Sequence, residues 1–269
     1  MTARIRIGTQ GWNYDDWVGP FFPDGTRAAD YLTIYARAFD TVEVDSTFYA
    51  IPAAKVVRGW ARRSPDDFAF ALKLPQEITH EKRLRNCFDT AELFFDRARE
   101  LGAKLGPILC QLGPDFSPAE KPALIEFVER VPNDVKVAVE FRQKQWVTDD
   151  VLALLAAHKV ALAFTDARWI PRATMLRLTE RPTSDFAYLR LMGPDRAIVD
   201  YSRVQVDRTA ELGLWAPAIR ALATRVGVVY TYVNNHFAGH SPATVRDLQR
   251  LLGVAVVDPA QLGEQMTLF

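Results

Sequence analysis

The sequence predicts an α/β fold, a single (β/α)8 TIM barrel with a short C-terminal tail. Three observations carry that prediction. Eight short apolar runs recur along the chain, nearly all end in a polar residue at the C-terminal tip, and most lead through a loop into a helix-period segment. Parallel barrels are built by this alternation, and they keep their chemistry at the C-terminal ends of the strands.

The elements follow in order. Residues 5–9 form the first run, and the segment 28–39 places Tyr31, Leu32, Tyr35 and Phe39 on one side of a helix. Residues 42–45 and 68–73 are the second and third runs; the helix at 90–101 carries Leu93, Phe94, Ala98 and Leu101 on one face. The fourth run, 108–111, precedes a helix at 118–131, opened by Ser117 as N-cap and Pro118 as first helical residue. Residues 135–142 and a helix at 149–158 make the fifth unit. The sixth run is 160–166, and the stretch 167–184, interrupted by Pro171 and Pro182, reads as a long active-site loop enclosing a short helix. Runs at 186–190 and 228–234 are followed by helices at 208–224 and 241–252. The barrel domain is thus expected over residues 1–257, and residues 258–269 read as an exposed extension.

Composition narrows the function classes. A chain of 269 residues suits one closed barrel, whose usual length is roughly 250. Lys plus Arg equals Asp plus Glu at 33 each, which argues against general coating of nucleic acid. The two cysteines, Cys87 and Cys110, form no CxxC pair, so neither a disulfide framework nor a cysteine zinc site is expected. Cys110 reads as a small core residue. No apolar run approaches the roughly 18 residues of a membrane span. The first residues enter a strand directly, with no room for a signal peptide, so a cytoplasmic location is expected.

Alternation along strands decides which tips converge, since residues two apart share a face. Glu43 and Asp45 point together from the second strand, Glu140 and Arg142 from the fifth, and Tyr232 and Asn234 from the eighth. With Lys73, Gln111, Asp166 and Arg190 they make a crown of four carboxylates, three cations, two amides and a phenol. Packing alone does not favour so many charges at buried strand ends. The candidate catalytic set is therefore Glu43, Lys73, Glu140, Arg142, Asp166 and Arg190, with Glu140 or Glu43 as general base and the cations stabilising developing negative charge. The bland alternative is that Glu140–Arg142 and Glu43–Lys73 are ion pairs that merely close the barrel top.

Substrate contacts are expected from the loops. Trp12, Trp17, Tyr49 and Trp146, joined by Phe48 and Trp169, offer flat faces suited to a sugar or a nucleobase, unless they plug the mouth as local core. Asp45, His80, Gln111, Tyr232, Asn234 and Asn235 complete this binding set. An anion site is expected where the last helix begins, at Gly239, His240 and Ser241, with Arg196 nearby. No metal site is assigned. A divalent cation is conceivable on Glu140, Asp166 and either His236 or His240, although the two histidines lie on a glycine-containing loop that fixes no common face. His158, ending a helix, reads as a surface cap.

Several motifs together resemble the YecE-like family, domain of unknown function 72. They are Gly8-Thr9-Gln10-Gly11-Trp12 with Trp17, the segment from Thr41 through Glu43 and Asp45 to Tyr49, and Phe70-Ala71-Leu72-Lys73. Ile78-Thr79-His80, Gln111-Leu112, Val139-Glu140-Phe141-Arg142 with Trp146, Tyr188-Leu189-Arg190-Leu191, Tyr232-Val233-Asn234-Asn235 and Gly239 continue the match over nearly the whole chain. The resemblance implies a TIM barrel and carries a loose likeness to sugar isomerases. The chain departs from the family pattern with Gln10 in place of serine, Asp45 in place of asparagine and Met192 in place of histidine. The last change weakens any metal-isomerase mechanism.

Two functions emerge. One is an enzyme acting on a sugar, a sugar phosphate or another small polar substrate by acid–base chemistry. The alternative is a DNA-metabolism nuclease or lyase tethered to the bacterial sliding clamp, because Gln265, Leu268 and Phe269 match Q-x-x-L-F, a docking-peptide pattern. In that case the tail is expected to await a partner; otherwise Leu268 and Phe269 pack back on the barrel.

Overall fold

The computed structural model describes residues 3–264. Eight strands form one parallel sheet in the order β1-β8-β7-β6-β5-β4-β3-β2. They are β1 (Arg4–Thr9), β2 (Thr41–Val44), β3 (Ala69–Lys73), β4 (Leu105–Gln111), β5 (Val137–Glu140), β6 (Ala161–Ala167), β7 (Phe186–Gly193) and β8 (Val228–Val233). Between and after them run α1 (Tyr31–Ala38), α2 (Ala54–Arg62), α3 (Phe88–Arg99), α4 (Lys121–Glu129), α5 (Asp149–Ala157), α6 (Arg172–Leu178), α7 (Thr209–Leu222), α8 (Asn235–Ala238), α9 (Ser241–Leu252) and α10 (Pro259–Glu264). This is the expected (β/α)8 barrel.

Both strand faces are buried, which is why the strands read as unbroken apolar runs. The inward faces are unequal in size. Ala69, Ala71, Ala138, Ala161 and Ala163 lie inside with Leu109, while Phe186, Tyr188, Tyr230 and Tyr232 fill the space that the alanines leave. The outward residues, such as Val42, Leu72, Val139, Leu162 and Leu189, pack with the helices in a separate, larger core. A side chain at a strand tip therefore either continues the inner column or joins the helix layer.

The β1–β2 seam has its own chemistry. The Gly11 amide donates to the Glu43 carbonyl at 2.8 Å, and Gln10 and Glu43 form an isolated parallel bridge. Lower down, the Tyr35 hydroxyl reaches in from α1, accepting from the Thr9 amide at 2.8 Å and donating to the Thr41 carbonyl at 3.0 Å. Gly8 permits this approach, since a Cβ there would lie 2.0 Å from the Thr41 carbonyl oxygen. Gly8→Ala is thus expected to lose about 3 kcal/mol or more by forcing the seam apart. Urea denaturation checks this; a wild-type midpoint would mean that the seam tolerates expansion.

Three elements differ from the sequence expectation. α2 buries only Val57 and Trp60, a stripe too thin to stand out in the sequence. The segment after β8, expected as a loop, contains the short helix α8, started by the Asn234 side chain accepting from the His236 amide. The expected exposed extension instead forms α10 through Glu264, beside α1, with Leu262 buried. Among the described residues no helix is long and apolar enough to cross a membrane.

Candidate active site

The upper layer of the barrel interior is built around one guanidinium. Arg190 continues the inner column of Phe186 and Tyr188, and it crosses the barrel to carboxylates on β2 and β5. Its Nε donates to Glu43 Oε2 at 2.9 Å, Nη2 to Glu43 Oε1 at 2.7 Å and Nη1 to Glu140 Oε2 at 2.5 Å. The Tyr188 hydroxyl donates to Glu43 Oε2 at 2.6 Å, and Gln111 Nε2 donates to Glu140 Oε1 at 2.7 Å. Glu43, Arg190 and Glu140 are all at most 3% exposed. Burial pushes the Glu140 carboxyl up, but the Arg190 and Arg142 charges outweigh it and hold the group below its ordinary range. The two carboxylates together raise the Arg190 pKa against its own burial. Beneath this layer the Tyr232 hydroxyl shares a 2.8 Å hydrogen bond with the Thr41 hydroxyl.

Lys73 stands apart from this pairing. It ends the inner column Ala69–Ala71–Lys73 and is the one buried lysine among the described residues. Its Nζ lies 3.7 Å from the centroid of the Phe48 ring. Among the described residues no carboxylate lies within 4 Å of it; Glu43, its partner in the bland alternative, is taken by Arg190. Burial, then the Arg190 charge, lower its pKa to about 7, against the weaker opposing pull of Glu43 and Glu140. Nearby, half-buried His80 packs edge-on against Phe48, and its Nδ1 meets the Thr79 hydroxyl at 2.9 Å. Burial and the Arg142 and Lys73 charges lower its pKa to about 4, so it is neutral at physiological pH. Asp45, also half-buried, has a carboxyl raised by burial and by the Glu43 charge.

Positive charge dominates the neighbouring rim. Arg142 Nε is 3.8 Å from Glu140 Oε1, a carboxylate already satisfied by Arg190 and Gln111. Trp169 lies under two guanidiniums, with Arg142 5.4 Å and Arg168 4.4 Å from its ring centroid. Burial lowers the Arg142 pKa, and the like charges of Arg190, Arg196 and Arg168 add to that. Arg168 and Arg196 are both exposed. A rim with this excess of cations favours an anionic guest.

Other expected site residues lie elsewhere. Asp166 pairs in register with outward-facing Leu191 and bonds Arg172 Nε at 2.6 Å and Trp215 Nε1 at 2.8 Å. It faces α6 and α7, lining a cavity of about 250 Å3 outside the strand wall, and is separated from the crown. Trp17 and Trp146 are core residues rather than substrate walls: Trp146 stacks between Phe116 and Phe141 and donates to the Phe116 carbonyl, while Trp17 packs on Phe21 and Phe22. Trp12 turns to Trp60 and Phe70, and Tyr49 is exposed beside Phe48. Asn234 donates to Gln10 across the β1–β8 rim. Asn235 is buried, and its Oδ1 accepts from both the amide and the hydroxyl of Ser241. With Gly239 packed against the Arg203 carbonyl and His240 buried, the start of α9 is closed as an anion cradle.

Glu140 and Asp166 point to opposite sides of the strand wall, so the conceivable cation site is not assembled. Among the described residues no three His, Cys, Asp or Glu side chains converge as metal ligands. Gln265, Leu268 and Phe269 lie outside the described residues.

A sequence profile of the family described as protein of unknown function DUF72 matches residues 6–266. The chain belongs to that family. It is 35% identical over 142 residues to the UPF0759 protein YecE of Escherichia coli K12, an alignment covering 53% of this chain and 50% of that protein. Against the UPF0759 protein YunF of Bacillus subtilis strain 168 the identity is 31% over 149 residues, 53% of this chain and 52% of that one. The chain thus spans about half the length of the curated relatives it matches. Crystal structures of DUF72 proteins from Thermotoga maritima (TM-score 0.77, 23% identity, 93% of this chain and 99% of that one) and Enterococcus faecalis (0.73, 19%, 94% and 99%) share the fold.

Within this DUF72 barrel two groups escape a reading by strand tips alone. Tyr188 is two residues before Arg190, and alternation placed it on the same inner face; its aromatic body concealed a polar partner for Glu43. Trp215 and Arg172 reach Asp166 from helices, and helix periodicity gives no hint of such a contact.

Proposed function

We propose that this chain is an enzyme that acts on a sugar phosphate or another small anionic polar substrate by acid–base chemistry at the C-terminal mouth of the barrel. One observation carries the reading: Lys73 is a buried strand-tip amine with no carboxylate partner among the described residues, poised near neutrality among guanidiniums. A group with a pKa near the working pH can both take and return a proton. Glu140 and Glu43 suit support rather than proton transfer, because Arg190 occupies both. Arg142, Arg168 and Arg196 would hold the anion, and Trp169 would form a wall. The chemistry that fits is proton transfer beside a carbonyl, as in an isomerase or lyase, in keeping with the sugar-isomerase likeness that the family resemblance implies. Cys87 and Cys110, both buried free thiols, support a reducing, cytoplasmic setting. The sliding-clamp alternative rests on the terminal sequence alone.

Two measurements test the reading. Calorimetry should detect inorganic phosphate binding that Arg142→Ala weakens roughly ten-fold, the value of one charge-assisted hydrogen bond. A panel of sugar phosphates and small carboxylates, followed by NMR, should reveal turnover that rises with pH through about 7, as Lys73 loses its proton. Lys73→Met should slow it at least about 100-fold. Turnover at the wild-type rate by that variant would remove Lys73 from the chemistry.

A further inference from the structure

We infer that Lys73 captures the substrate covalently, as an imine with an aldehyde or ketone that also carries an anionic group. The inference rests on the acid–base reading for the location of the pocket and goes beyond it in the bond that forms. Its geometry is specific. Every other lysine is exposed or partly exposed, and several are engaged, Lys82 with Glu77, Lys121 with Asp150 and Lys104 with two carbonyls. Among the lysines Lys73 alone is withdrawn from water, on the inner column, with its Nζ against an aromatic face and, among the described residues, no carboxylate within ion-pair distance. Desolvation beside other cations is what makes an amine a nucleophile at neutral pH.

The step balances without a further reactant. The Nζ lone pair adds to the carbonyl carbon; the former carbonyl oxygen takes one proton given up by Nζ and one from solvent and leaves as water. A protonated C=N bond to Lys73 remains. That cationic bond withdraws electrons from the adjacent carbon, whose proton or carbon substituent can then depart. The rim cations of Arg142, Arg168 and Arg196 select a carbonyl compound bearing a carboxylate or a phosphate over a neutral one.

Reductive trapping tests this on the intact chain. The protein is incubated with cyanoborohydride and, in separate arms, pyruvate, dihydroxyacetone phosphate or neutral dihydroxyacetone, and labelled peptides are mapped by mass spectrometry. The expected result is one adduct per chain, on Lys73, from an anionic probe; with pyruvate the gain is the mass of pyruvic acid less one oxygen. Which anionic arm labels faster tells carboxylate from phosphate. Neutral dihydroxyacetone and Arg142→Ala should each label roughly ten-fold more slowly. Labelling should rise with pH through about 7. Adducts only on exposed lysines, or no adduct from any probe, overturn the imine. If phosphate binding and turnover persist in that case, the acid–base reading stands without it; if they are absent too, both fall. Mapping on the wild-type chain keeps the test valid even if a Lys73→Arg control fails to fold.

Discussion

Replacing Arg190 with methionine is expected to cost about 3–5 kcal/mol of stability, the usual consequence of removing one partner from a buried ion cluster. The guanidinium makes three hydrogen bonds to two carboxylates that have no access to water. Without it Glu43 and Glu140 face each other across the interior with only Tyr188, Gln111 and the more distant Arg142 to offset their charges. The pH dependence should also invert. In the wild type the lowered Glu140 pKa contributes stability that is present above the ordinary carboxyl range and lost as pH falls through the folded value. In the variant like-charge repulsion favours protonation of one carboxylate, so stability should instead fall as pH rises. Adding Glu43→Gln and Glu140→Gln should recover much of the loss. Urea denaturation at several pH values from about 3 to 8, spanning the carboxyl range, checks all of this. A single variant as stable as the wild type, with its pH trend, would mean that Arg190 does not hold the layer together.

Lys73→Met is expected to do the opposite, stabilising the fold while removing activity. Burial lowers the Lys73 pKa from 10.5 to about 7, so between those values the unfolded chain binds more protons than the folded one. Wild-type stability should therefore rise with pH across that window. Methionine, similar in length and uncharged, removes the slope. The gain should be greatest at and below about pH 7, on the order of 2–4 kcal/mol there, and shrink towards pH 10. Denaturant titrations at several pH values measure it. A gain independent of pH, or a loss, would show that the amine is comfortable where it stands and would remove the argument that function keeps it there.

The particular residues show how far a linear reading reaches. Lys73, Gln111, Glu140 and Arg190 were legible as a convergent group because strand alternation is local and strict. Asp166 obeys the same rule yet faces out, since its register beside Leu191 rather than Arg190 sets its side. One residue of register exchanges the two faces of a strand. The Glu43–Lys73 ion pair, the bland alternative for these two tips, does not form, for a different reason. Both residues are at strand tips, but Arg190 is long enough to cross the barrel and serves two carboxylates at once, leaving the lysine alone.

The sequence by itself determined the barrel, its strand order of appearance and the polar character of its C-terminal mouth, because these follow from periodicities of two and of about 3.6 residues that the chain carries locally. Only the tertiary structure decided who pairs with whom. Trp17 and Trp146 became core because neighbouring rings close over them, and Ser241 lost its free amide to Asn235, a buried residue of the short helix before it. The isolated amine of Lys73 is the clearest case: its proton affinity is set first by burial and then by charges on β7, β2, β5 and the loop after β5, brought close by closure of the barrel.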